Sequence, residues 1–385
     1  MSVHKSGIEK AQNKKKRKLQ MRRIVIIGAS HHNTLSVVRC VGEVFGLVDL
    51  VLIGCVKSFV AKSKYVHSAT FLKDSKDLYQ WAKKNKYQTK SIVISCADGV
   101  SQVFDMHYEE LKPFYDFFNA GADGIITSFM DKQKQVELAN QVGFATPISA
   151  CYTKLDNVDK FTAFPCIVKP LQSYVGGKHI WHCNNTKELQ EVVMSVPNGV
   201  MVQVQELINN KHEIVLPGLI TKDDFIVPGY ILKYREFLGG TTYSSVKKHN
   251  HQTQQLVSLS KAMLRRIGYE GLFGIEAMYN GKEYVFIELN LRNDATCYSM
   301  AVAGINLPVM YINSVVGGKI EFNSISEITS IVENKDFSNV IRRNVGFIQW
   351  IKELKGAKCK FLYNKNDKKP MFSCLISQIT NKIHL

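Results

Sequence analysis

VFIELNLRND, residues 285–294, alternates in character along its length: Val285, Ile287, Leu289 and Leu291 are apolar, and Phe286, Glu288, Asn290 and Arg292 stand between them. A strand points successive side chains to opposite faces. One face is therefore expected to be apolar, and the other to carry a carboxylate, an amide and a guanidinium in a row. The preceding segment, LFGIEAMYNGKE, supplies the partner strand, with Asn280-Gly281 as the turn signal of a β-hairpin. A two-residue loop would pair Glu276 with Val285 and leave a lone carboxylate on the apolar face. A three-residue loop, Asn280 to Lys282, pairs Glu276 with Phe286 and makes it a diagonal neighbour of Glu288. Burial of the apolar residues favours the odd loop. Two glutamates converging beside Asn290 form a hard oxygen set of the kind that suits Mg²⁺, with Mn²⁺ as an alternative. Mg²⁺ held by few protein carboxylates also takes phosphate oxygens, which points to a nucleotide.

Outward from this hairpin, strands alternate with helices. RIVIIGAS (23–30), VDLVLIG (48–54) and SIVISCADG (91–99) read as buried strands with a helix from about Thr34 to Phe45 between the first two. That order predicts a parallel sheet in a Rossmann-like lobe. Gly28 is followed by Ala, Ser, His, His and Asn, so the glycine fingerprint of a dinucleotide site is missing. DKQKQVELANQVGFATP (131–147) reads as a helix opened by Asp131 and ended by Gly143. QQLVSLSKAMLRRIGY is a second amphipathic helix, ended by Gly268. FPCIVKP and GVMVQVQELI are strands, and QSYVGGK (172–178) is a glycine loop between strands.

The chain has 385 residues, 45% hydrophobic and 22% charged, which fits a globular protein of two or three lobes. It has no run of about 18 uncharged apolar residues that would span a bilayer. Nine scattered cysteines without metal spacing are expected to be free thiols in a reducing, cytoplasmic setting. The net charge is +17, and the first 23 residues contribute nine Lys/Arg against one Glu. The arm around KKKRK (14–18) is expected to be disordered and could touch an anionic membrane surface. Nothing beyond charge supports nucleic-acid binding.

The series DK…GFATP, FPCIVKP…GGKHI, VQVQELI…HE, GIEAMYNGKEYVFIELNLR and AGINLP, in this order, resembles the ATP-grasp superfamily of carboxylate–amine ligases over about residues 21–318. Its first lobe looks like that of D-aspartate-ligase-like and surface-polysaccharide-associated members. The resemblance implies an ATP-grasp fold, α/β and α+β, with an N-terminal Rossmann-like lobe. It divides the chain into a basic arm (1–22), the Rossmann-like lobe (23–125), a small lobe with the glycine loop (126–205), a C-terminal lobe with the metal site (206–320) and an extension (321–385). It implies ATP as cofactor, with Lys132, Lys169, Ser173, Gly176, Gly177 and Lys178 at the phosphates. Gln205, Glu206, Leu207 and Ile208 would meet the adenine, and Glu213 the ribose. Glu276, Glu288 and Asn290 would be the metal ligands, and Arg292 would stabilise charge at the reacting centre. Leu291 stands where the family usually has Pro. Lys233 and Arg235 alternate along one strand, and Arg235 is a candidate carboxylate clamp.

The implied activity is amide formation from a small-molecule carboxylate and an amine through an acylphosphate, releasing ADP and phosphate. A competing reading is a catalytically silent ATP-grasp scaffold that binds nucleic acid or an anionic membrane surface. The retained charge set of the hairpin favours the enzyme.

Overall fold

A computed structural model describes residues 22–171, 180–208, 212–318, 320 and 324–383, with side chains to residue 378. The basic arm as far as residue 21, and Ser173, Gly176, Gly177 and Lys178 of the glycine loop, lie outside the described residues.

Strands β1 (Ile24–Gly28), β2 (Val48–Ile53), β3 (Val66–Leu72), β4 (Ser91–Ser95) and β5 (Tyr115–Asp116) form a parallel sheet in the order β3-β2-β1-β4-β5. Every residue of β1 and β4 is buried, as expected for strands covered on both faces. The order reverses between β1 and β4, so the loops that leave their carboxyl ends diverge. The helices His32–Phe45 and Asp98–Met106 begin at that crevice.

A second, antiparallel sheet runs β6 (Ser149–Tyr152), β9 (Val202–Glu206), β7 (Cys166–Pro170), β8 (Trp181–Cys183). Its alternation is strict. Cys166, Val168, Val202 and Val204 pack on Leu189 and Val193 of the helix Thr186–Ser195. Lys169, Gln203 and Gln205 project from the opposite face. Asp131 caps the helix Lys132–Val142 by accepting hydrogen bonds from the backbone N–H of Gln133 and Lys134, as the spacing implies.

The third sheet has eight strands. β15 (Tyr284–Asn290), β14 (Gly271–Tyr279), β10 (Glu213–Ile220), β12 (Tyr230–Phe237), β13 (Gly240–Lys247), β16 (Ile328–Ile331) and β17 (Cys359–Lys360) follow in that order, and β11 (Phe225–Ile226) pairs with β10. Pro217 lies inside β10, where a missing N–H would break a ladder. It is tolerated because β12 pairs only with Ile214 and Val215, and β11 only with Leu219 and Ile220. The last 60 residues, largely opaque in sequence, add β16 and β17 to this sheet. Their loop is pinned to the first lobe by Arg39, which is fully buried. Its Nε donates to Asp367 Oδ2 at 3.0 Å, and its Nη atoms donate to the carbonyls of Phe361, Leu362 and Asp367 at 2.9 Å.

The hairpin differs from expectation in one respect. Tyr279 pairs with Tyr284, so the loop has four residues, 280–283, rather than three. Asn280 closes it: its N–H donates to Glu283 O, and its Oδ1 accepts from the N–H of Lys282 and Glu283. Gly281 takes φ +97°, a left-handed conformation suited to glycine. An even loop alone would put Ile287 opposite Glu276. A bulge at Ile287 shifts the register by one, so Glu276 faces Glu288 directly, Ile275 faces Leu289 and Gly274 faces Asn290. Phe286 is also not on a wet face: it is fully buried, with its ring 5.5 Å from that of Phe144.

β15 is the last strand of its sheet, and its outer edge is covered by a side chain. Gln135 Nε2 donates to Leu289 O at 2.9 Å, and Gln135 Oε1 accepts from Leu289 N–H at 2.9 Å. The amide thus replaces a strand partner next to Glu288 and Asn290. Gln135→Leu leaves both backbone groups buried and unpaired, and is expected to cost about 1–3 kcal/mol in urea unfolding. Gln135→Glu keeps only the acceptor and should fall between Leu and wild type.

No helix among the described residues is long and apolar enough to cross a membrane.

Candidate active site

Glu276 and Glu288 sit opposite each other at the edge of the large sheet, where facing residues of an antiparallel pair lie roughly 5 Å apart at the backbone. Asn290 Nδ2 is 3.5 Å from Glu276 Oε1. Arg292 Nη2 donates to Asn290 Oδ1 at 2.9 Å, its Nε to Asp98 Oδ1 at 2.7 Å, and its Nη1 to Asn293 O at 3.2 Å. Burial opposes the charge of Arg292, but Asp98, Asp294 and Glu288 more than offset this and hold its pKa above the ordinary value.

Across from the carboxylates stands Lys169, at the end of β7. Its Nζ donates to Gln205 Oε1 at 2.8 Å. Burial lowers its pKa to about 8; Glu288 and Glu276 work against the lowering, and Lys132 adds to it. Lys132, at the start of its helix, therefore belongs to the same electrostatic group. Gln205 and Gln203 are buried, and Gln205 Nε2 and Gln203 Oε1 have no partner among the described residues. Buried polar atoms without partners are costly, so this face of the small sheet suits a polar ligand.

The connector after β9 is partly committed. The N–H of Glu206 donates to Ile148 O, its carboxylate accepts from Ile148 N–H, and the N–H of Leu207 donates to Pro165 O. Ile208 follows. Glu213, at the start of β10, is bonded to Lys233, whose Nζ also donates to Glu276 Oε2 at 2.9 Å. Lys233 thus ties the expected ribose carboxylate to the expected metal carboxylate. Burial raises the pKa of Glu213, with Lys233 pulling the other way.

Arg235 is not with this group. Bulges around Tyr234 and Arg235 break the alternation that would have put it beside Lys233. Its guanidinium is held by Asp336 at 3.1 and 2.7 Å and Glu353 at 2.6 Å, and lies 4.4 Å over the Tyr243 ring. Those bonds occupy it as a tie between β12 and the C-terminal helices, not as a carboxylate clamp.

Asn293 and Asp294, uninterpretable in sequence, dock the loop. Asn293 N–H donates to Ser95 O at 3.0 Å, and its Nδ2 to Asn33 Oδ1 at 2.6 Å. Asp294 Oδ1 accepts from the N–H and hydroxyl of Thr296 at 2.8 and 2.5 Å. Gly274 makes room: a Cβ there would come within 3.0 Å of Asp294. Asp98, Gln135, Lys233 and Gln203 complete the site. Of these, Lys233 showed in the alternation of its strand and Asp98 in the strand-ending Asp-Gly, whereas the two glutamines carried no signal. A separate surface cavity of about 810 Å³, lined by Lys90, Tyr108, Asp116 and Glu270 among others, contains none of the expected site residues.

The family model for the ATP-grasp domain matches residues 129–296. The chain carries an ATP-grasp domain. That domain spans the helix Lys132–Val142, the small sheet and the hairpin with its loop. Over 239 residues the chain is 25% identical to formate-dependent phosphoribosylglycinamide formyltransferase from Prochlorococcus marinus, covering 59% of this chain and 58% of that protein. The chain thus spans under two thirds of that curated relative. Among solved structures, L-amino acid ligase from Bacillus licheniformis superposes with TM-score 0.62 at 14% identity, covering 81% of this chain and 80% of that one. N5-carboxyaminoimidazole synthetase from Staphylococcus aureus, crystallised with ADP, gives 0.62 at 16% identity over 84% and 85%. At such identities these likenesses establish the ATP-grasp fold, with its N-terminal lobe.

Proposed function

We propose that this protein is an ATP-dependent ligase that joins a carboxylate to an amine. The observation that carries the proposal is the pair Glu276 and Glu288, opposed on an ATP-grasp hairpin and faced by Lys169. The solved relatives, an amino acid ligase and a carboxyaminoimidazole synthetase, support the class of reaction.

The donor set fits a divalent cation. Two opposed carboxylates and a neighbouring amide are hard oxygen ligands. Among the described residues no three His, Cys, Asp or Glu side chains cluster as a metal cage. The cation's remaining ligands would come from nucleotide phosphates and water. Mg²⁺ or Mn²⁺ bound there would offset charge on the phosphates.

The chain's own residues do the rest. On this reading Lys169 and Lys132 hold the phosphates by their positive charge, and Glu213, bonded to Lys233, meets the ribose hydroxyls. Gln203 and Gln205 offer unpartnered amide atoms on the nucleotide side. An oxygen of the substrate carboxylate attacks the terminal phosphorus, its bond to the bridging oxygen breaks, and ADP leaves. Arg292 stabilises the charge that develops. The amine nitrogen then attacks the acyl carbon, loses a proton, and expels phosphate. Catalysis on this account is positioning and electrostatic preorganisation, without a protein nucleophile. The basic arm is proposed to touch anionic surfaces, apart from this chemistry.

The test is ADP release from Mg·ATP with a panel of carboxylic acids and amines, each alone and in pairs. Release that requires both an acid and an amine supports the ligase. Release with an acid alone indicates phosphorylation without ligation. No release with any pair, with salt-sensitive binding to RNA or anionic vesicles, identifies a silent scaffold.

Lys169 gives a pH prediction. Its pKa of about 8 applies without nucleotide, and phosphate contact favours the charged form, raising it on binding. Affinity for Mg·ATP should be level below that pH and then fall roughly tenfold per pH unit above it. Titration calorimetry across this range checks it, and Lys169→Met should flatten the profile.

A further inference from the structure

Phe237 pairs with Gly240, so Leu238 and Gly239 alone make the turn between β12 and β13. Both have positive φ, +50° and +69°. Two-residue hairpin turns with positive φ at both positions favour Asn-Gly, because the Cβ of other residues crowds the backbone there. Leu238 nevertheless holds the strained position, and it is 77% exposed. Arg343, just past the helix Glu333–Ile341, is the other non-glycine residue with positive φ among the described residues, at +61°, and it too is exposed. The two strained residues belong to one face. Asn339 Nδ2 donates to Glu236 O at 3.3 Å, and the Arg342 guanidinium lies 4.8 Å over the Phe237 ring. Strain kept at exposed positions does nothing for packing and is a mark of functional surface.

The same face carries apolar side chains in water. Ile341 is 62% exposed, Phe347 57% and Ile348 73%. The rings of Phe337 and Phe347 both meet Trp350, at 5.1 and 6.4 Å, which joins the helix Glu333–Ile341 to the helix Phe347–Gly356. Ile348, Lys352 and Lys355 follow one another at helical spacing along the outer side of the second helix, and all are exposed. Arg342, Arg343, Lys352 and Lys355 have no carboxylate partner among the described residues. The acids nearby are all engaged. Asp336 and Glu353 hold Arg235, Glu236 lies 3.6 Å from Lys233, and Glu333 accepts from the N–H of Leu362 and Tyr363. The face therefore offers apolar tips and unpaired positive charge.

That combination selects the occupant. In a symmetric pair this patch would meet itself, setting Arg342 and Arg343 against a like positive surface. A nucleic acid would neutralise the charges but bring no hydrocarbon to Leu238, Ile341 and Ile348. A bilayer with anionic head groups satisfies both needs. We propose that this face, made by the tip of the β12–β13 hairpin and the two C-terminal helices, docks on an anionic lipid surface. Leu238, Ile341, Phe347 and Ile348 insert below the head groups, and the four cations meet lipid phosphates and carboxylates. The proposal is independent of the ligase reading.

The test is co-sedimentation of the full chain with vesicles of phosphatidylcholine and phosphatidylserine, against vesicles of phosphatidylcholine alone, over a salt series. Binding should need phosphatidylserine and weaken as salt rises. Leu238→Asn restores the favoured Asn-Gly turn, so its urea midpoint should rise while its vesicle binding falls about tenfold, the scale of losing one inserted leucine. Arg343→Asn should likewise raise the midpoint and weaken binding about fivefold, as for one cation near a charged surface. Binding unchanged in both variants would assign the lipid contact to the basic arm and overturn the proposal. A lower midpoint in Leu238→Asn would assign Leu238 to the fold and overturn it as well. So would absence of vesicle binding, whether the chain then sediments as a dimer that Leu238→Asn breaks or binds RNA that Arg343→Asn weakens.

Discussion

Glu288→Gln is expected to lower substrate-dependent ADP formation by about two to three orders of magnitude, the scale of losing one preorganised electrostatic group. The fold should scarcely notice. Glu288 is only partly buried and has no hydrogen-bond partner among the described residues, so its loss should move urea unfolding by no more than about 0.5 kcal/mol. Removing its charge also removes a contribution that opposes the lowering of Lys169's pKa. The variant should therefore lose the charge of Lys169 at lower pH than wild type. Its Mg·ATP affinity should begin to fall below pH 8, which titration calorimetry reads. Glu276→Gln is less clean, because Lys233 donates to Glu276, and some loss of stability should accompany loss of activity there.

The second large effect is on stability. Arg39→Met leaves Asp367 buried, its side chain 1% exposed, without its cation. Ser63 Oγ and Lys64 N–H still donate to Asp367 at 2.8 and 3.0 Å, but the carbonyls of Phe361 and Leu362 lose their donors. The expected cost is about 3–5 kcal/mol, the usual result of breaking one side of a buried ion pair. Urea midpoints measure it. Arg39→Met combined with Asp367→Leu should recover part of the loss, because no unpaired charge then stays buried. Arg39 ties the segment carrying β17 to the first lobe, so proteolysis of the C-terminal segment should speed up in the single variant.

The parts of this molecule legible in sequence are those where period and punctuation agree. The all-buried β1 and β4, the helix between Asp131 and Gly143 and the helix ending at Gly268 follow from apolar spacing and caps. The shared face of Glu276 and Glu288 was legible for a different reason than the true one. Burial demanded an odd offset, and a three-residue turn was the simplest way to supply it. The chain instead uses a four-residue turn and a bulge at Ile287, and bulges leave no mark in composition. The same blindness misplaced Arg235, because irregularity beside Tyr234 breaks the alternation that linked it to Lys233. Gln135 covers a strand edge from a helix 154 positions away in sequence, a contact without local signal. Arg39 carried a usable one: a guanidinium between Val38 and Cys40 in an apolar helix is rarely buried without a partner. The partner, in a loop more than 300 residues on, was not readable.

The central claim is that a substrate carboxylate is phosphorylated before it meets the amine. The direct measurement uses an acid found active in the ADP-release panel, labelled with oxygen-18 in its carboxylate, and mass analysis of the phosphate released during turnover with its amine. Attack by the carboxylate oxygen on phosphorus, followed by expulsion of phosphate, carries one labelled oxygen into each phosphate. Labelled phosphate, formed in step with ADP and absent in Glu288→Gln, is the predicted result. Unlabelled phosphate alongside amide product would contradict the account.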